Sequence, residues 1–148
     1  MLSQTLISLF ERDLNRVIDE LHLYRSEANI WKAEGNISNS AGNLALHLIG
    51  NLKTYIGKRI GNVDYVRNRD LEFADKNVPR EKLVADLTDT ISIIKDSLKP
   101  VSDEDLKKDY PLLVLSERTS TEYFLVHLAT HLNYHLGQIN YHRRLIEK

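Results

Sequence analysis

The sequence predicts an all-α fold, and three observations carry that expectation. Apolar residues recur at mixed steps of three and four through four long segments, the spacing that marks one face of a helix. The three prolines, Pro79, Pro100 and Pro111, each fall where such a pattern breaks. The stretches between the periodic segments are polar and turn-rich. Four long helices with two longer connections argue for a four-helix bundle, formed by residues 1–148 as one domain.

The first helix is expected from Leu2 to about Ala28, on Leu6, Ile7, Phe10, Leu14, Val17, Ile18, Leu21 and Tyr24. Arg12, Asp13, Asp19 and Glu20 fill its other face. Residues 31–43, with two glycines, three asparagines and two serines, read as a loop that ends in good N-cap residues. A second helix then runs from Ser38–Ser40 to about Ile60. Its leucines and isoleucines cover more than one face, as in a helix that is central or shared with a second subunit. The charged stretch after Gly61-Asn62 is a long crossover, ordered by Tyr65, Val66, Leu71 and Phe73.

Pro79 suits the first turn of a third helix, Arg80 to Leu98, which Lys99-Pro100 stops. Residues 101–118 offer one short helical turn from Ser102 and a break at Tyr110-Pro111. Thr119-Ser120-Thr121-Glu122 is expected to form a capping box that opens the last helix, Thr119 to Leu145.

Composition sets outer bounds. Apolar residues are 42% and charged residues 28% of the 148, as in an ordinary globular domain. A formal charge of -1 gives no basic surplus for nucleic acid. The absence of cysteine excludes disulfides, thiolate ligands and a cysteine nucleophile. No run approaches the roughly 20 apolar residues of a membrane span, and the N-terminal residues do not read as a signal peptide. The expected location is the cytoplasm.

The last helix holds four of the six histidines: His127, His131, His135 and His142. The first three stand at i, i+4 steps and share a stripe. Neighbours in that series are roughly 6 Å apart along the axis, whereas His127 and His135 are about 12 Å apart, too far for one ion. The helix therefore offers one metal-binding pair, either 127/131 or 131/135. A third ligand has to come from another helix, and the second helix has His47 among leucines, with Asn51 four residues on. A bundle brings facing side chains together in this way. The competing reading is plain: a histidine among leucines is more often a hydrogen-bonded core residue than a ligand. His22, in the exposed-looking run HLYRSE, and His142, near the chain end beside Arg143 and Arg144, read as surface residues and not as ligands.

The run His131-Leu132-Asn133-Tyr134-His135-Leu136-Gly137-Gln138 resembles the H-x-x-x-H-x-G-Q pattern in the last helix of the DinB-like (YfiT-like) superfamily. Residues 38–57 are similar to its second helix, whose single histidine matches His47. Residues 65–73, with Arg67, Arg69, Glu72 and Phe73, resemble the crossover of one uncharacterised subfamily. Order and spacing agree over essentially the whole chain. The resemblance implies an antiparallel four-helix bundle, commonly a homodimer, with a divalent metal held by His47, His131 and His135. It thereby selects the 131/135 pair. It also implies a thiol-dependent S-transferase or a hydrolase acting on a small molecule, the thiol being of the bacillithiol or mycothiol type.

Three neutral imidazoles leave a metal with open positions, as in catalytic sites, and suit Zn²⁺ or Ni²⁺. With no cysteine in the chain, any thiol has to be external. Asn51, Arg67, Glu72 and Gln138 are candidate substrate-binding residues. Gln138 can also hold a ring nitrogen of His135, and Gly137 is expected to permit close helix approach. For Arg67, Arg69 and Glu72 the rival expectation is ion pairing that pins the crossover. No Asp or Glu stands at helical spacing to the histidines, so no catalytic acid or base is named. The rival functions are a non-catalytic bundle that binds a metal or partner, in a stress response for example, and a metal-free bundle whose histidines pack.

Overall fold

The computed structural model describes residues 1–148. It is all-helical, with six α-helices: α1 (Leu2–Leu23), α2 (Ala41–Leu52), α3 (Arg69–Ala74), α4 (Arg80–Leu98), α5 (Asp103–Lys107) and α6 (Thr121–Ile146). A 3₁₀ segment, Glu27–Trp31, precedes α2, and a π-helical segment, Lys53–Lys58, continues it. No helix is long and apolar enough to cross a membrane. Helices α1 and α2 each pack against both α4 and α6, which places the core between the four. From α1 that core receives Leu6, Phe10, Leu14, Val17 and Leu21, at steps of four, four, three and four. From α6 it receives Phe124, Leu125, Leu128, Leu132, Leu136 and Ile139.

The first helix is shorter than its periodicity predicts. Tyr24 leaves helical geometry at φ -62°, ψ 124°, because the next amides are claimed from far along the chain. The Glu147 carboxylate accepts from Arg25 N (2.9 Å), Ser26 N (3.1 Å) and Asn29 Nδ2 (2.8 Å). The chain turns instead into the 3₁₀ segment, which buries Ile30 and Trp31. The indole lies against Gly42, where a Cβ would come within 2.7 Å of the ring. Its Nε1 is buried without a hydrogen-bond partner.

Ser40 caps α2 by accepting from Asn43 N. Every residue of α2 except Leu46 is buried, and the cover comes from this chain's own α3, α4, α6 and 3₁₀ segment. Burial within one chain thus accounts for the all-round apolar character that also raised a shared interface. The crossover contains α3 and is held differently from the expectation. Val66 is 84% and Leu71 51% exposed, whereas Glu72 is 6% exposed. Of the expected apolar anchors Phe73 does pack inward, against His47, and polar groups add to it: Asn43 Nδ2 donates to the carbonyls of Glu72 and Asp75, both at 2.9 Å.

Helix α4 matches its predicted span, with Pro79 just ahead of it as N-cap. The short turn after Ser102 is α5, closed by a Ser102–Asp105 capping box. Helix α6 begins two residues later than expected. Its cap is Ser120, which accepts from Tyr123 N at 3.1 Å. The box expected between Thr119 and Glu122 does not form. Thr119 is held instead through its carbonyl, which accepts from Tyr110 N at 2.9 Å.

Candidate metal centre

The histidines of α6 lie one residue before the core positions 128, 132 and 136, about 100° round the helix at 3.6 residues per turn. They therefore flank the core and face α2. His47 is 7% exposed on α2. Its Nε2 stands 3.4 Å from His131 Nε2, and His131 Nε2 stands 3.1 Å from His135 Nε2. One ring nitrogen from each histidine falls within 4.8 Å of the other two, a group able to hold a metal ion. A tetrahedral ion with nitrogens at 2.0–2.1 Å separates its ligands by about 3.3–3.4 Å, and a right-angled pair by about 2.9 Å. Both measured separations lie in that range.

Hydrogen bonds fix which nitrogens face inward. His47 Nδ1 is 3.0 Å from Glu72 Oε1, so it donates its proton there and leaves Nε2 as a bare lone pair. His135 Nδ1 is 2.7 Å from Gln138 Oε1 and likewise donates, leaving its own Nε2 bare. Two lone pairs therefore converge on His131 Nε2. A proton there can serve only one of them, and His131 Nδ1 is buried with no partner. A cation among the three Nε2 atoms satisfies all of them at once, so the donor set fits a divalent ion.

The surroundings favour the neutral form of His131 and His135. Burial, then the nearby charges of His135, His47, His127 and Arg67, push His131 down to about 4. Burial also lowers His135, against the opposing hydrogen bond to Gln138. Neutral imidazole is the form that binds metal.

Behind His47 lies a carboxylate that helical spacing does not reveal. Burial tends to raise the Glu72 carboxyl, but hydrogen bonds from His47 and Arg67 outweigh it and hold the group below its usual range. Arg67 grips it bidentately, Nε to Oε2 at 2.8 Å and Nη2 to Oε1 at 2.9 Å. Its guanidinium also lies 5.7 Å from the Tyr55 ring centroid. Phe73 packs on His47, ring centroids 5.0 Å apart. The carboxylate reaches this position because residue 50 is glycine: a Cβ there would overlap Glu72 Oε2.

The structure brings His47, His131, His135, Gln138, Glu72 and Arg67 into one connected group. Asn51 is also buried near it, one turn beyond His47, and its Oδ1 has no partner. Arg69 is exposed at the start of α3. His127 stacks beside His131 with ring centroids 6.3 Å apart, outside the triad. Gly137 provides no close helix approach, since a Cβ there would meet nothing within 4 Å. His142 is a satisfied core residue rather than a surface one. It is 3% exposed, with Nδ1 accepting from Tyr24 Oη at 2.6 Å and Nε2 donating to the Lys32 carbonyl at 2.7 Å.

No curated protein matches the chain. One family does, described as "Protein of unknown function (DUF1572)", and its match runs over residues 4–148. With nearly the whole length covered, the chain belongs to the DUF1572 family.

Proposed function

We propose that this protein is a cytoplasmic, metal-dependent enzyme of the DinB-like superfamily, an antiparallel four-helix bundle that activates an external thiol or water on a three-histidine site. The observation that carries this reading is the convergence of two bare Nε2 lone pairs on a third, half-buried imidazole, at 3.1 and 3.4 Å. A bound Zn²⁺ or Ni²⁺ would act there as a Lewis acid, lowering the pKa of a coordinated water or thiol.

The chain's own residues have separable tasks in this proposal. His47, His131 and His135 hold the ion. Glu72 fixes the tautomer and ring orientation of His47, while Arg67 keeps Glu72 ionised and in place. Gln138 does for His135 what Glu72 does for His47. Those hydrogen bonds give Arg67 and Glu72 a positioning task in place of substrate binding, and leave Asn51 and Gln138 to meet a bound molecule. With no thiol in the chain, an S-transferase reaction takes its sulfur from a small cofactor such as bacillithiol.

Metal analysis of protein purified without a nickel column tests the centre. One divalent ion per chain is expected, with loss of that ion in His47→Ala. Absence of stoichiometric metal, together with unchanged metal content and stability in His47→Ala, would reject it. Turnover is tested with several low-molecular-weight thiols and a chlorodinitrobenzene or epoxide electrophile. Metal-dependent conjugation is expected, and silence across thiols and common hydrolase substrates favours a binding protein.

We also propose that the chain forms a homodimer. Tyr123 and Val126, 60% and 42% exposed on one face of α6, support the pairing, whereas α2 is covered by its own chain.

A further inference from the structure

A cleft of about 470 Å³ opens beside the triad, between α6 and residues 36–39 ahead of α2. This volume falls among those of small-molecule sites, which span roughly 300–1,000 Å³. His135 is part of its wall, so the ring whose Nε2 faces the metal position also faces whatever enters the cleft. Gln138, which holds the other nitrogen of that ring, lines the cleft as well.

The chemistry of the walls is selective. Ile37, Leu44 and Leu145 supply apolar surface, and Tyr134 adds an aromatic one. Asn39 and Gln138 supply amides. No Asp, Glu, Lys or Arg lines the cleft. Arg67, the basic residue placed nearest the triad by the crossover, is committed to Glu72 through two bonds of 2.8 and 2.9 Å. A cationic group entering here would find no counter-charge in these walls and would face the positive charge of an ion held beside His135. The Gln138 amide is polarised in one direction, because its Oε1 already accepts from His135 Nδ1. Its NH₂ is left to donate.

We infer that this cleft seats a partly apolar substrate without a cationic group, whose hydrogen-bond acceptor docks on the Gln138 amide beside the metal position. The inference rests on the metal-dependent reading of the triad for its catalytic meaning. It assigns that site a substrate class: molecules with a carbonyl, ether or epoxide oxygen, in preference to amines.

The test uses two coumarins of one skeleton, neutral 7-methoxy-4-methylcoumarin and cationic 7-methoxy-4-(trimethylammoniomethyl)coumarin, titrated into the zinc-loaded full chain. The neutral probe should bind about tenfold more tightly. Ile37→Asp, on the loop wall and away from the triad, should reduce or invert that ratio by about tenfold without changing zinc affinity. Equal or tighter binding of the cation, no binding of either probe at millimolar concentration, or a ratio unmoved by Ile37→Asp would each overturn the assignment. Zinc uptake measured on the same samples separates the two readings. Zinc bound with the probe test failed removes the substrate class alone. Neutral-probe selectivity without zinc uptake removes the metal reading and leaves a cleft for molecules without a cationic group.

Discussion

At the scale of single residues, the centre depends on groups that never touch the ion. Glu72 donates no ligand atom to the triad, yet it fixes His47 from 3.0 Å away. Glu72→Gln keeps the shape and removes the charge, and zinc affinity should fall about 10–100-fold, the usual loss for such partners. Competition against a chelating dye would measure it, and an unchanged affinity would leave Glu72 as mere packing. His131 sets a pH dependence in the metal-free protein. Its folded pKa is about 4, against 6.5 for the free side chain, so between those values the unfolded chain binds the extra proton. Stability is therefore complete above pH 6.5, declines as pH falls toward 4, and levels off below. Urea midpoints of the apoprotein should trace that slope, and His131→Gln should flatten it. The grouping of His47, His131 and His135 was legible in the sequence only through the resemblance of its motifs, since spacing alone left the pairs 127/131 and 131/135 open. The tie from Glu72 to His47 was not, because no helical periodicity relates residues 25 apart.

At the scale of elements, the helices that follow local periodicity were legible. Helix α4 is the clearest case, Arg80 to Leu98 in both sequence and structure. Departures occur where a distant group competes for the backbone, as Glu147 does at the end of α1. The same logic governs the join between α2 and α3. Asn43 holds the crossover by its backbone, and Gly50 leaves space for its carboxylate. Gly50→Ala should push Glu72 out of that space at a cost of about 1–3 kcal/mol, the usual range for an overpacked core. The expected result is coupled loss, with lower zinc affinity and faster proteolysis between residues 62 and 78 in the same variant. Lower stability with zinc affinity intact would show that the glycine serves packing alone.

For the whole molecule, α6 joins the centre to the frame. It carries two of the three candidate ligands, and polar ties fasten it to α1. Asn133 donates to Asp13 at 3.0 Å, and Asn140 and Arg143 donate to Glu20 at 2.7 and 2.8 Å. Its outer face is the proposed dimer surface. Tyr123→Glu combined with Val126→Glu should halve the sedimenting mass at micromolar concentration while zinc binding persists. A wild-type chain that already sediments as a monomer would refute the pairing. The fold also carries an optical label of its own. Trp31 is the only tryptophan, and its indole lies on Gly42 in the first turn of the helix that bears His47. Shielded and without a partner for Nε1, it should emit toward the blue and shift red when that corner opens. Intrinsic fluorescence thus reports, without any attached dye, whether the His47 end of the centre is closed.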